Sequence, residues 1–62
     1  MFVLLKKNKQ RDYEAIGCAN YRSDLEHEIY KDEIVEEYGN IYYTKKFGQS
    51  YIYKIDEVRL YS

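Results

Sequence analysis

The sequence predicts a small α+β fold in the order ββαββ, with one helix packed on one face of an antiparallel sheet of three to four strands, in a single domain over residues 1–62. Three observations point there. Ser23–Gly39, SDLEHEIYKDEIVEEYG, carries a helix start signal, a stop signal and most of the acidic residues. Two short apolar runs precede it, and two runs rich in aromatic and β-branched residues follow it around a glycine-centred turn.

Phe2–Lys7, FVLLKK, has no helix cap before it and reads as a strand. The polar stretch Asn8–Asp12 turns the chain, and Tyr13–Ala19, YEAIGCA, returns as the second strand, with Gly17 marking a bulge or a close backbone approach. In the helical stretch Ser23 and Glu26 fit a capping box, which satisfies two orphan amides at the helix start. Asp24, Glu26 and Glu28 suit the positive end of the helix dipole, and Gly39 fits the left-handed residue that ends a helix. The apolar positions divide. Leu25 and Ile29 lie on one side, while Tyr30, Ile34 and Tyr38 form an i, i+4, i+8 line nearly opposite. Either the helix bends or restarts near Asp32 so that both lines reach one core, or the second line meets another molecule.

Ile41–Lys46 and Tyr51–Ile55 form the second hairpin around Phe47-Gly48-Gln49-Ser50. Tyr51, Tyr53 and Ile55 share a parity that Val58 and Leu60 lack, so a bulge or break near Asp56-Glu57 is expected. Four strands and one helix leave one sheet face uncovered and lined by tyrosines, whose rings are apolar while their hydroxyls can stay wet.

Sixty-two residues hide only about 60% of the unfolded surface, so stability is marginal unless something else helps. Cys18 is alone and cannot form an internal disulfide; with His27 also alone, no zinc cluster is expected, and no cofactor. Between Gly17 and Ala19, Cys18 reads as a small buried residue. Met1–Leu5 is too short for a signal core or a membrane span, which implies a cytoplasmic protein without membrane contact. Lys6, Lys7, Lys9 and Arg11 give residues 1–11 a balance of +4, residues 12–38 carry −7 and the remainder +2. The charge is segregated, with an acidic helix between two basic ends.

No GxGxxG, Walker A, CxxC, HExxH or GxSxG string occurs. Glu26, His27 and Glu28 would splay about 100° apart on a helix and cannot converge on a metal. Glu28 with Asp32, and Glu33 with Glu37, are spaced i, i+4, which a solvated face explains as well as acid–base chemistry does. A chain this small scarcely encloses a reaction pocket, so an enzyme is not expected. Two surfaces remain as partner sites. The acidic helix offers Glu26, Asp32, Glu33, Glu36 and Glu37 to a basic groove, imitating a line of phosphates, or else simply faces solvent. Tyr30 and Tyr38 on the helix, with Tyr42, Tyr43, Tyr51 and Tyr53 on the hairpin, supply both core and interface anchors. The same hairpin with Lys45, Lys46, Lys54 and Arg59 carries the rival reading, single-stranded nucleic acid, which the absence of net positive charge disfavours.

The segments FVLLKK, YEAIGCANYRSDLEHEIYKDEIVEEYG and YIYKIDEVRLY resemble the small α+β accessory proteins of phages of low-GC bacteria. The resemblance implies a virus-encoded inhibitor that binds and blocks a host protein, including the anti-CRISPR kind, and assigns no residue a role. A homodimer, with the last strand pairing edge to edge, and a small structural or virion component complete the expectations.

Overall fold

The computed structural model describes residues 1–59. Its elements are β1 (Phe2–Lys7), β2 (Glu14–Ala19), α1 (Arg22–Ile29), β3 (Glu33–Tyr38), β4 (Ile41–Lys46) and β5 (Gln49–Glu57). All five strands join one antiparallel sheet in the order β2-β1-β5-β4-β3. The expected ββαββ sheet of three to four strands is therefore corrected to five strands with one short helix.

The added strand is the second half of the expected helix. Helix α1 ends at Ile29, and after a turn through Tyr30–Asp32 the segment Glu33–Tyr38 pairs with β4. Ile34, Val35 and Tyr38 are residues that fit a pleated surface better than a helix. The two apolar lines belong to two elements: Leu25 and Ile29 are buried beneath α1, and Ile34 and Tyr38 sit on β3. Gly39 ends a strand instead of a helix. It lies at φ 55° in the two-residue turn that joins Tyr38 to Ile41. The expected capping box is absent too, because the helix starts before Ser23: Tyr21 occupies the cap position without a side-chain hydrogen bond. Arg22 replaces it as the anchor. Its guanidinium donates to Glu26 Oε1 (2.9 Å), Asn40 Oδ1 (2.6 Å), the Gly39 carbonyl (3.3 Å) and the Tyr42 hydroxyl (2.9 Å), tying the helix start to the β3–β4 turn.

The two predicted hairpins form, β1 with β2 and β4 with β5. A register shift opposite Leu4/Leu5 leaves Ile16 as the extra residue beside Gly17, so the bulge reading of that glycine holds. Cys18 on this outermost strand is exposed, not buried as expected. Strand β5 has no bulge but ends at Glu57, where the bulge or break is expected, and Val58, 40% exposed, follows it; Leu60 lies outside the described residues. Because β5 pairs with β1 on one side and β4 on the other, the last strand has no free edge through which a dimer could form; the edges are β2 and β3.

Helix α1 packs on β1, β2 and β5, and the core on that side is Leu4, Leu25, Ile29, Tyr42, Tyr53 and Ile55. Thr44 and Asp32 are buried with them. The Asp32 carboxylate accepts a hydrogen bond from the Tyr53 hydroxyl (3.0 Å) and lies 3.7 Å from Lys46 Nζ, so this buried charge has both a donor and a counter-ion.

At the β4–β5 turn Phe47 and Gly48 have φ of 51° and 77°. Both central positions of such a tight turn require left-handed backbone, which glycine adopts freely and phenylalanine does not. Phe47 is also 95% exposed, so its ring gains little from folding. Replacing Phe47 by Asn, which tolerates this conformation, should stabilise the fold by about 1 kcal/mol. A higher urea midpoint with an unchanged slope checks it.

Candidate functional site

Side chains alternate across a strand, and residues paired between strands share a face, so the register sorts the whole sheet. Leu4, Ile55, Tyr53, Tyr42 and Thr44 face α1. Val3, Leu5, Lys7, Ile41, Tyr43, Lys45, Ile52, Lys54 and Asp56 face the other way, joined by Glu33, Glu36 and Tyr38 from β3. Among the described residues no helix covers this open face. One in-register row crosses four strands as Lys7, Ile52, Tyr43 and Glu36. Val3, Leu5, Ile41 and Ile52 are half-buried by their neighbours alone, and Tyr43 is 37% exposed. Three lysines (Lys7, Lys45, Lys54) meet three acids (Glu33, Glu36, Asp56) on this face, with the Lys54 ammonium 3.7 Å from Asp56.

The expected partner residues divide accordingly. Asp32, Tyr42 and Tyr53, expected at a partner surface, are core residues, because burial of the Asp32 carboxylate requires the Tyr53 hydroxyl and Tyr42 fills the space beside Arg22. The acidic helix exists only in part. Glu26 is on α1 but pairs with Arg22 at 2.9 Å, while Glu33, Glu36 and Glu37 are on β3. The shift at Val35 turns Glu33 and Glu36 to the open face and Glu37 to the covered one, opposite Tyr42. The expected line of carboxylates is thus broken up, and the pairs Glu28/Asp32 and Glu33/Glu37 do not form on one helix.

Among the tyrosines, Tyr43 and Tyr38 stand on the open face with rings edge to face, 6.1 Å apart and at 89°. The Tyr38 hydroxyl donates to Glu36 Oε1 at 2.5 Å, and this bond holds the phenol above its ordinary pKa, so it stays protonated and engages that carboxylate. Tyr30 is half-exposed, its ring edge-on to Tyr42 at 6.3 Å. Partial burial, and then the charge of Glu37, raise its phenol. Tyr51 lies under the Lys6 ammonium, 4.3 Å from the ring centre, and its hydroxyl donates to Gln49. Tyr13 reaches the open face from the β1–β2 loop, within 6 Å of both Lys7 Nζ (5.6 Å) and Lys54 Nζ (5.8 Å).

Sequence reasoning missed Leu5, Val35, Ile41 and Ile52 as surface residues. The period-2 alternation of β1, β4 and β5 was the available signal, because it separates Leu4 from Leu5 and Tyr53 from Ile52.

Of the depressions in the surface, two bear on the site. The larger, about 450 Å³, lies between α1 and β1–β2 over Leu4, Leu25 and Tyr53, with Asp24, Glu28 and Lys31 at its mouth. Its one buried carboxylate, Asp32, is engaged by Tyr53 and Lys46, which leaves it poorly placed for proton transfer. The smaller, about 310 Å³, is on the open face over Val35, Tyr43 and Ile52. Among the described residues no group of three His, Cys, Asp or Glu side chains gathers as metal ligands do, and no helix is long and apolar enough to cross a membrane.

Comparison with known protein families, with curated proteins and with solved structures found no match to this chain.

Proposed function

We propose that this chain is a small binding module that acts by occupying a partner protein and not by chemistry of its own, with the open face of the sheet as its contact surface. One observation carries the reading: a five-stranded sheet whose second face, bearing Leu5, Ile41, Tyr43 and Ile52, has no covering layer among the described residues. Uncovered apolar surface of this kind, rimmed by charges, is what protein interfaces use, with tyrosine the preferred anchor. The resemblance to phage accessory proteins makes the partner a host protein and the effect inhibition, as with anti-defence proteins that block by contact.

Single-stranded nucleic acid is the second reading, favoured by the placement of Tyr43 and three lysines on one face. The equal number of acids on that face weakens it, since a strand carries charge at every phosphate. In affinity capture from host lysate, the Tyr38→Ser/Tyr43→Ser variant, folded by circular dichroism, should lose a protein that the parent chain retains. Retention of the same proteins by both would overturn the reading. Tight binding of a fluorescent oligonucleotide at moderate salt would replace it with the second.

A further inference from the structure

The smaller depression of the open face selects among protein partners. It lies towards the end of the sheet where the β1–β2 loop and the Phe47–Gly48 turn meet, and its floor is Val35, Tyr43 and Ile52. Around this apolar floor stand Lys7, Lys9 and Lys45, with Glu36 the one acid among the lining residues. Among the described residues none of the three lysines forms an ion pair, whereas Glu36 already accepts the Tyr38 hydroxyl. The rim is therefore positive around a dry centre. At about 310 Å³ the depression is at the lower limit of small-ligand sites, which run from roughly 300 to 1,000 Å³, and it suits one bulky side chain.

We propose that this depression takes a single apolar side chain, aromatic or branched, from an acidic segment of the partner protein, with carboxylates on either side of that anchor meeting Lys7, Lys9 and Lys45. The proposal rests on the protein-binding reading of the open face and names the chemistry of its partner. Charge arrangement decides between occupants. A peptide can concentrate its carboxylates at Lys7 and Lys9, away from Asp56, and needs only one beside Lys45, whose cross-strand neighbour is Glu33. A nucleic-acid strand threading the same row would bring phosphates against Glu33 or Glu36, at a cost in repulsion. A second copy that centred this depression on a two-fold axis would gather the three lysines of both copies around that axis.

The test is a titration of nitrogen-15-labelled protein with a synthetic peptide of Asp and Glu bearing one central Phe, followed by NMR. The expected result is saturable shifts centred on Lys7, Val35, Tyr43, Lys45 and Ile52. Affinity should fall at least about tenfold when the peptide Phe becomes Ser, and by a similar factor in Lys9→Glu/Lys45→Glu, whose replaced side chains are exposed and whose folding is checked by circular dichroism. Absence of saturable shifts, shifts centred elsewhere, or stronger binding of an oligothymidine at the same residues would overturn the proposal. So would a doubling of mass by light scattering that protects these residues. Capture of a host protein that depends on Tyr38 and Tyr43 but is unchanged by Lys9→Glu/Lys45→Glu would also overturn it, while leaving protein binding in place.

Discussion

Tyr42→Ala should remove most of the protein's stability at room temperature. The ring is 1% exposed at the centre of the covered face, and removing a large buried ring costs about 3–5 kcal/mol. A chain of this length has a total stability of only about 3–9 kcal/mol, taking roughly 0.05–0.15 kcal/mol per residue. The loss extends beyond packing, because the phenol oxygen accepts one of the three hydrogen bonds through which Arg22 ties α1 to the β3–β4 turn and the start of β4. Tyr42→Phe separates the two contributions. It keeps the ring and removes only the hydroxyl, so its cost should be about 1 kcal/mol. Urea titrations of both variants followed by circular dichroism check the order. An alanine variant with a parental midpoint would show that the ring is not the keystone of this core.

The second large effect belongs to Tyr53→Phe. Asp32 is 7% exposed, and the Tyr53 hydroxyl is the donor that satisfies its carboxylate. Without it the charge keeps Lys46, at 3.7 Å, and loses its hydrogen bond, a loss of about 1–3 kcal/mol for a buried group. The same residue gives an alkaline signature. Burial, and then the bond to Asp32 and its charge, hold the Tyr53 phenol well above its ordinary value of 10.0. Above that value the unfolded chain releases the proton and the folded chain keeps it. The unfolded state therefore binds fewer protons, and stability falls as pH rises past 10 while being fully present below. In Tyr53→Phe this part of the decline disappears. Urea midpoints measured between about pH 8 and about pH 11 should fall less steeply in the variant than in the parent, the remaining slope coming from other phenols such as Tyr30 and Tyr38, whose values are also raised. Parallel declines would remove Tyr53 from the account.

The hairpins were legible in the sequence because alternation and turn chemistry are local: FVLLKK, IYYTKK and YIYKI read as strands from their own residues. Residues 33–38 were not, because Glu is a good helix former and the i, i+4, i+8 spacing of Tyr30, Ile34 and Tyr38 imitates a helix face. What decided the segment was β4, whose free side accepts a partner strand, and that is a tertiary fact no window of sequence contains. The candidate site suffered from the same error. Carboxylates expected in one line on a helix were redistributed by the shift at Val35, and the anchoring tyrosines could be divided into Tyr42 and Tyr53 inside and Tyr38 and Tyr43 outside only once the register was known.

The position of β5 governs how this chain reaches its native state. Phe2 pairs with Glu57, so the seam between β1 and β5 joins the two ends of the described chain, while each hairpin needs only its neighbours. Local hairpins form in about 1–10 μs, but a long-range seam must first overcome loop closure, which slows sheet-rich domains to roughly milliseconds or seconds. Until the β1–β5 seam closes, β1 and β5 each present an unpaired backbone edge, and that interval is when the chain is most exposed to aggregation.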